Sequence, residues 1–414
     1  MKLSTTAVLS LAASCTLYAG AFGQDSTSLF VAGYDGFVRT VRLDHKECKH
    51  SLSEINKTDG CGPNPNWLSL DYANQRLWCL NEGWNTPNGT VSTFDVEESG
   101  RLIAYQQRNT SASPVQSKFF DGGRKLAVAQ FGGPKDSGIR GGLTIHDVAA
   151  NGSLHSGVTN ITFDALQTPG PANNQAVPRG HGVILDPTGK NLVVTDYGAD
   201  KIRVFSITSN GTVTKGAEME APAGSAPRHA VFYTTVGGED ASSTAPVYLF
   251  VLAENANTIS TYNITYTSNP DLLHLSPPTR VIDTFGGNVT KELNGTAKAG
   301  EIHISPDNNF VIVSNRLDSF TMESDSLSTY KINADGSLTF IQRVAAGGIS
   351  PRHFKLNKAG DKVVVSHGVT SNIAVLKRDV TTGMIGAPLA SLTFNTSAPG
   401  TSENLGIPMA IWYE

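Results

Sequence analysis

The stretch HGVILDPTGKNLVVTDYGADKIRVFSI, from His181 to Ile207, holds the pattern that decides the fold. Its first strand alternates apolar and polar residues, and a tight turn follows at Asp-Pro-Thr-Gly. The second strand is a run of Leu and Val, as expected for a strand that is buried on both faces. A polar tip then leads to a third alternating strand. The stretch therefore predicts three short antiparallel strands joined by tight turns.

The same order of strands and turns recurs along the chain. Clear copies begin at Arg228, Glu301 and Arg352, and weaker copies begin at Trp67 and Lys118. Repeats of about 40–50 residues with four strands each are typical of β-propeller blades. The 414 residues contain no low-complexity linker that would divide them. We therefore predict one large all-β repeat domain.

The two ends of the chain supply a further copy. Residues 29–44 provide a second and a third strand, and residues 408–414 provide a first strand. Pairing these segments would close the ring and leave few exposed strand edges. We predict a seven-bladed β-propeller of four-stranded antiparallel blades over residues 24–414, closed by its N- and C-terminal strands. An open sandwich of similar strands is the alternative.

The N-terminus has the features of a secretory signal. Lys2 supplies the positive charge, residues 7–18 are apolar, and Ala21-Phe22-Gly23 forms a small-x-small cleavage site. We predict a signal peptide over residues 1–23 and a secreted protein that is extracellular or associated with the cell wall. No later segment is long and apolar enough to span a membrane.

Sequons and cysteines agree with export. The N-x-S/T pattern is typical of glycosylated surface loops. It occurs at Asn56, Asn88, Asn109, Asn151, Asn160, Asn210, Asn263, Asn288, Asn294 and Asn395. Beyond the predicted signal, the cysteines are Cys48, Cys61 and Cys79. We expect one disulfide with one thiol left over, and favour Cys48–Cys61, which would close a loop.

Charge narrows the class of partner. Charged residues make up 16% of the chain, and the net charge is −4. This balance argues against a nucleic-acid partner and against binding to an anionic membrane. The positive groups for an anionic ligand must therefore be concentrated locally.

Blade geometry indicates where such a concentration lies. The first strand of a blade is innermost and the second runs antiparallel to it, so the start of the first and the end of the second share one mouth of the channel. The positions assigned to this mouth are Lys118, His181, Arg228, His229, Glu301, His303, Arg352 and His353 on first strands, and Glu82, Gln130, Asp196, Tyr197, Glu254, Arg316 and His367 on second strands. Several cations at a concave mouth suit a carboxylate or phosphate ligand.

A structural role is the alternative for individual members of this set. The repeated Pro-Arg-His at 227–229 and 351–353 could tie neighbouring blades together through backbone carbonyls. Asp196, His353 and His367 fit such a role best. A Glu or His beside the arginines could instead move a proton at neutral pH, if burial adjusts its pKa. The cluster as a whole favours a ligand site.

An ordered set of motifs resembles the lactonase-type seven-bladed propeller family, which includes bacterial 6-phosphogluconolactonases and the fungal carboxy-cis,cis-muconate cyclase. The motifs are the stretch from His181, PRHAVFY from Pro227, LAENANTISTY from Leu252, EIHISPDNNFVIVSNR from Glu301 and PRHF from Pro351. The resemblance suggests a secreted fungal member. It implies a seven-bladed fold, no metal, no cofactor and a small-molecule carboxylate or lactone as partner.

The resemblance also implies active residues. The His, two Arg and Glu of the family fall on His181, Arg228, Arg316 and Glu254. The arginines would bind substrate carboxylates, and Glu254 and His181 would form the proton-transfer pair. Further substrate contacts are assigned to Arg352, Glu301, His303 and His229.

Two functions follow from these expectations. The first is a secreted glycoprotein enzyme similar to carboxy-cis,cis-muconate cyclase, either a lactone-forming cycloisomerase or a lactone hydrolase, acting at the channel mouth. The second is a non-catalytic secreted propeller that binds an anionic ligand, a glycan or a host protein. The chain has no Gly-x-Ser-x-Gly elbow for a serine hydrolase. A metal-dependent lactonase would need converging acidic and Asn ligands rather than an arginine-rich mouth.

Overall fold

The computed structural model describes residues 25–47, 49–84, 86–134, 136–172, 174–235, 246–267, 273–287, 293–396 and 405–414. The predicted signal peptide, Cys48 and Asn288 lie outside these ranges. In the described ranges the regular secondary structure is almost entirely β-strand, as the alternating strands and tight turns of the sequence predict. Its strands form seven separate antiparallel sheets, which are the blades of a propeller.

The strands of the first four blades, in chain order, are β1 (Asp25–Ala32), β2 (Val38–Lys46) and β3 (Lys49–Thr58); β4 (Pro65–Asp71), β5 (Arg76–Asn81), β6 (Thr90–Val96) and β7 (Leu102–Asn109); β8 (Pro114–Phe120), β9 (Lys125–Gln130), β10 (Gly142–Val148) and β11 (Leu154–Thr162); β12 (Gly180–Leu185), β13 (Asn191–Asp196), β14 (Lys201–Ile207) and β15 (Val213–Glu220).

The strands of the remaining blades are β16 (Pro227–Thr234), β17 (Val247–Ala253), β18 (Thr258–Tyr266), β19 (Leu273–Leu275) and β20 (Arg280–Asp283); β21 (Lys298–Ile304), β22 (Phe310–Arg316), β23 (Ser326–Ile332) and β24 (Leu338–Ala345); β25 (Pro351–Leu356), β26 (Lys362–His367), β27 (Asn372–Arg378) and β28 (Ile385–Thr393); and finally β29 (Met409–Tyr413). A 3-10 turn at Asp121–Gly123 and the one-turn helix α1 (Leu293–Thr296) interrupt them.

The ends of the chain share the first blade, whose strand order is β29-β1-β2-β3. β29 pairs antiparallel with β1, with Leu29 opposite Trp412 and Val31 opposite Ala410. The innermost strand of this blade therefore comes from the C-terminus. The predicted seven-bladed fold and its closure by the two terminal strands are confirmed, and the open-sandwich alternative is wrong.

The core lies between adjacent blades. The second strands β5, β13 and β22 are buried along their whole length, because each of their faces packs on a neighbouring sheet. Phe30 of the first blade, for example, packs in one cluster with Leu77 and Phe94 of the second blade. The apolar runs of the sequence thus produce the packing of the ring.

A β-bulge lies near the start of each of the innermost strands β4, β8, β12, β16, β21 and β25, since a register shift separates the first pair of each ladder, or the first two pairs in β21, from the rest. The residues left outside the ladders are Asn66, Val115, His181, Arg228, Gly300 with Glu301, and Arg352. A bulge re-aims the side chain of its extra residue. Four of these bulge residues, Val115, His181, Arg228 and Arg352, line the channel site described below.

The disulfide differs from the sequence-based expectation. Cys61 pairs with Cys79, with their Cα atoms 5.9 Å apart, so the favoured Cys48–Cys61 pairing is wrong. Cys61 precedes β4, and its loop folds back over Cys79 on β5 of the same blade. Both cysteines are fully buried. Chain spacing alone does not show this return of the loop, because it depends on how the second blade packs.

The predicted sequons differ in exposure. The exposed asparagines are Asn88, Asn109, Asn151, Asn160, Asn210, Asn263 and Asn395, whereas Asn56 is half-buried. Nothing is described for the side chain of Asn294 or for Asn288. Glycosylation and secretion therefore stay predictions. Among the residues described, no helix has both the length and the apolar character needed to cross a membrane.

Candidate active site at one mouth of the channel

A cavity of about 370 Å³ opens at the mouth of the channel where the innermost strands begin. His181, Arg228, Glu254, Arg316 and Arg352 all line it. His181, Arg228 and Arg352 are bulge residues of β12, β16 and β25, and Glu254 and Arg316 follow or end the second strands β17 and β22. The structure thus brings together, from four blades, the four residues predicted to be active and one of the predicted substrate contacts.

Glycine permits the close approach of the inner strands beside the bulges. A Cβ atom on Gly182 would lie 2.8 Å from the carbonyl oxygen of Arg228, and one on Gly300 would lie 2.9 Å from that of Pro351. Real Cβ atoms do not come so near. Any side chain at either position would push neighbouring blades apart and displace the bulge residue that depends on them.

Glu254 is the centre of the site. Its Oε2 accepts a hydrogen bond from Nε of Arg228 at 2.9 Å and lies 2.7 Å from Nη2 of Arg316. The hydroxyl of Tyr197 lies 3.4 Å from Oε1 of Glu254 and 3.1 Å from Oδ1 of Asn255. One carboxylate oxygen therefore holds two guanidinium groups. Charge-assisted bonds of this kind hold the guanidinium groups in a fixed orientation as well as balancing their charge.

The charge balance of the mouth is positive. Its basic side chains are those of Arg228, Arg316, Arg352 and Lys298, and its acidic ones are those of Glu254 and Glu82. Burial, and then the neighbouring Arg316, lower the pKa of Arg228 to about 10, which leaves it charged at neutral pH. Four cations against two carboxylates in a concave mouth attract an anion.

His181 is buried against aromatic rings. Its ring lies 4.9 Å from that of His229 and 5.8 Å from that of Phe131, centroid to centroid. Its Nδ1 has no hydrogen-bond partner among the residues described. Burial, followed by the charges of Arg228 and other basic neighbours, lowers its pKa well below 6.5. The imidazole is therefore neutral at neutral pH.

A second carboxylate organises the opposite wall of the mouth. Oε1 of Glu82 accepts a hydrogen bond from the hydroxyl of Tyr34 at 2.8 Å, and its Oε2 accepts one from Nε1 of Trp84 at 2.6 Å. Nη2 of Arg352 lies 3.9 Å from Oε1 of Glu82. Sequence reasoning placed Glu82 at the mouth but missed Tyr34, Trp84 and Lys298. The position of Lys298 at the start of β21 would have identified it.

Two predicted substrate contacts lie deeper in the channel. Nδ1 of His229 lies 2.7 Å from Oε1 of Glu301, and Nε2 of His353 lies 3.8 Å from Oε2 of Glu301. Burial alone would raise the pKa of Glu301, but His229, His303 and His353 lower it below its ordinary value. His229 and Glu301 line a small cavity below the mouth and are absent from the wall of the larger one.

His303 and Lys118 do not reach this mouth. Both line cavities at the other end of the channel, together with Lys355. A strand advances about 3.3 Å per residue, so β21 has crossed the channel between Lys298 and His303. The prediction that His303 and Lys118 share the mouth with His181 is therefore wrong, because both residues lie near the far ends of their strands rather than at the starts.

Three further residues that the sequence assigned to the mouth instead stabilise the blades. Oδ1 of Asp196 accepts a hydrogen bond from the backbone of Arg179 at 2.7 Å, and its Oδ2 accepts one from Nε of Arg203 at 2.8 Å. The side chain of Gln130 bonds with Thr110. Nδ1 of His367 lies 3.2 Å from the carbonyl oxygen of Asn372. These contacts match the structural role that the sequence left open for Asp196 and His367.

The fold and the mouth together define the class of protein: a seven-bladed propeller with an arginine-rich site at one end of its channel. The family model described as "Lactonase, 7-bladed beta-propeller" matches residues 23–397. The chain therefore belongs to this lactonase family, and the resemblance stated from the motifs is confirmed.

Individual relatives are distant but cover nearly the whole chain. A probable 6-phosphogluconolactonase from Arthroderma benhamiae is 24% identical over 401 residues, which are 96% of this chain and 93% of that one. The 6-phosphogluconolactonase of Bacillus subtilis is 24% identical over 81% of this chain and 86% of its own. The periplasmic gluconolactonase of Pseudomonas aeruginosa has a TM-score of 0.74 at 22% identity, covering 94% of this chain and 99% of that structure; this similarity supports the fold alone.

Proposed function

We propose that this chain hydrolyses a lactone that carries a carboxylate or phosphate group. The observation that supports this proposal most directly is the carboxylate of Glu254 between Arg228 and Arg316, beside the neutral His181. Membership of the lactonase family supports the reaction class, and the names of the relatives from Arthroderma benhamiae and Bacillus subtilis support a phosphorylated sugar lactone as one candidate substrate.

The residues of the mouth divide the work of hydrolysis. His181 accepts a proton from a water molecule as the oxygen of that water attacks the lactone carbonyl carbon. The guanidinium groups of Arg228 and Arg316 stabilise the negative charge that develops on the carbonyl oxygen. The ring carbon–oxygen bond then breaks, and the proton held by His181 passes to the leaving alkoxide. The product is a hydroxy acid.

Glu254 acts here by holding the arginines, since both guanidinium groups bind its Oε2. The assignment of Glu254 to proton transfer stays a prediction. Arg352 and Lys298 line the same mouth and bind the anionic substituent of the substrate. Because the anion is recognised away from the reacting carbonyl, its binding energy can orient the lactone for attack.

The lactone-forming cycloisomerase reaction predicted from the sequence would use the same groups in another order. A substrate carboxylate would add to a carbon–carbon double bond of the same molecule, and a protonated side chain would supply the proton to the neighbouring carbon. This reaction stays a prediction, as does the non-catalytic alternative. The exposed sequons support the further proposal that the protein is exported and glycosylated, which a mass shift on endoglycosidase treatment of secreted protein would test.

The test is a substrate panel on purified, folded protein. It compares a phosphorylated sugar lactone, its unphosphorylated counterpart and 3-carboxymuconate, with acid release followed by an indicator dye and the muconate by ultraviolet absorbance. We expect fastest acid release from the phosphorylated lactone. Loss of muconate absorbance without acid release from the lactones would favour the cycloisomerase, and a folded protein that turns over none of the three would contradict the proposal.

A further inference from the structure

Three side chains in the channel, below the proposed catalytic mouth, have the chemistry of metal ligands. They are Glu301 and His303 of β21 and His353 of β25. One ligand atom from each lies within 4.8 Å of the other two. Glu301 and His353 are 2% and 3% exposed, and His303 is half-buried. None of the three belongs to the mechanism proposed above.

The carboxylate of Glu301 is held with one oxygen occupied and the other available. Its Oε1 lies 2.7 Å from Nδ1 of His229 and accepts a hydrogen bond from the backbone of Ile302 at 2.9 Å. Its Oε2 is buried and has no hydrogen-bond partner among the described residues. That oxygen faces His353, whose Nε2 lies 3.8 Å away. A buried carboxylate oxygen left unbonded is costly.

The histidines show the same deficit. Nε2 of His303 and Nδ1 of His353 are buried, and neither has a hydrogen-bond partner in the described part of the chain. Buried polar atoms are nearly always satisfied by protein, water or an ion. The orphaned Oε2 of Glu301 and Nε2 of His303 therefore point to a bound group, which Nε2 of His353, the ring nitrogen that faces Glu301, can share.

We propose that Glu301, His303 and His353 bind one divalent transition-metal ion such as Zn²⁺. Two imidazoles and one carboxylate are a known ligand set for zinc, with water or another ligand in the fourth position. Tetrahedral bonds of about 2.0 Å separate ligand atoms by about 3.3 Å, so the 3.8 Å between Glu301 and His353 closes by a small side-chain movement. The contact of His229 with Oε1 orients the carboxylate so that its Oε2 can bind the ion.

The second mouth gives the ion a route to this site. A cavity of about 770 Å³ at that end of the channel is lined by both His303 and His353. The proposed ion therefore arrives from the end opposite the lactone. The inference does not rest on the proposed function, because Arg228, Glu254 and Arg316 take no part in it.

Cobalt provides a direct test that does not depend on activity. The full chain is treated with a chelator, dialysed and titrated with Co²⁺ while the visible absorption bands are recorded, and Zn²⁺ is titrated by calorimetry. We expect one equivalent of tightly bound metal. Glu301→Gln and His303→Gln should weaken its binding about tenfold or more, whereas His155→Gln, at an exposed histidine of β11, should leave binding unchanged.

Folding is checked on the same samples by circular dichroism and by thermal unfolding with and without Zn²⁺. The half-buried His303 provides the milder substitution if Glu301→Gln fails to fold. A raised melting temperature with Zn²⁺ in the wild type but not in folded His303→Gln would support the site. The absence of stoichiometric binding in the wild type, or equal binding in wild type and folded His303→Gln, would overturn the proposal.

Discussion

Arg316 and Glu254 belong to neighbouring blades, and Nη2 of Arg316 lies 2.7 Å from Oε2 of Glu254 at the channel mouth. The same oxygen binds Arg228. We expect Glu254→Gln to lower kcat/KM for an anionic lactone roughly 100-fold or more, because both guanidinium groups lose the charge that orients them toward the developing oxyanion. The measurement is steady-state acid release.

A matched control for this change is Glu218→Gln. Glu218 also pairs with an arginine, Arg203, but on β14 and β15, away from the mouth. Its variant should retain wild-type kinetics. If folded Glu254→Gln hydrolysed the lactone as fast as the Glu218→Gln control, the central role assigned to Glu254 would be wrong.

Arg352 should govern recognition of the anionic substituent. Its guanidinium lines the mouth beside Glu82. We expect Arg352→Ala to raise KM about tenfold for a phosphorylated lactone, the loss of one charge-assisted hydrogen bond, with a small effect on kcat. The unphosphorylated lactone serves as the control substrate. An equal rise in its KM would show that Arg352 does not recognise the phosphate group.

The pH dependence of hydrolysis should reflect His181. Burial and its cationic neighbours lower the pKa of His181 well below 6.5, so the neutral form that accepts a proton persists as the pH falls through 6.5. We expect kcat/KM to show no loss centred near pH 6.5, and an acid limb only well below that value. A pH–rate profile with its midpoint at 6.5 would contradict this role for His181.

Stability should fall as the pH is lowered below about 6.5. Burial lowers the pKa of both His146 and His367 to about 4, whereas the unfolded chain binds these protons near pH 6.5. The unfolded state therefore holds more protons between pH 6.5 and 4, and the free energy of unfolding decreases as the pH falls. Each histidine contributes about 1.4 kcal/mol per pH unit.

Urea unfolding at a series of pH values measures this slope. Replacing both residues by glutamine should flatten it whatever the change in absolute stability at neutral pH. An unchanged slope in the double variant, or a wild-type stability that rises on acidification between pH 6.5 and 4, would be incompatible with neutral buried histidines.

The disulfide should stabilise the second blade. Cys61 and Cys79 are separated by 18 residues, and closing a loop of that size in the unfolded chain is worth about 3 kcal/mol. We expect the double variant Cys61→Ser, Cys79→Ser to lose about this much free energy of unfolding in urea. The control is Cys48→Ser, which also replaces a cysteine by serine but leaves the Cys61–Cys79 disulfide in place. A larger loss from Cys48→Ser than from the double variant would contradict the assignment.

The sequence predicted the ring well because its signals are local. Each of these signals depends on a few neighbouring positions. They are the alternation in the first strands, the apolar run that forms β13, and the turn residues between them. Closure by β29 followed from the need to avoid an exposed edge. The Cys61–Cys79 pair was missed because loop paths depend on packing that chain spacing does not record.

The site was predicted in part for a similar reason. Antiparallel pairing places Arg228 and Glu254 at one mouth in any blade of this kind, so residues near strand ends were assigned correctly. His303 was misplaced because the true start of β21 lies at Lys298, five positions earlier. Tyr34 and Trp84 were missed because they lie in loops, whose course has no periodic signal.

The bulges of the innermost strands place side chains of the site at positions that take no part in strand pairing. Arg228 and Arg352 occupy positions outside the ladder, so other residues form the cross-strand pairs on either side of them. A substitution at one bulge position can therefore alter which ligand the channel mouth recognises while the strands of that blade stay paired. Natural variation or protein design can therefore change the ligand specificity of the mouth by substitutions in one blade at a time.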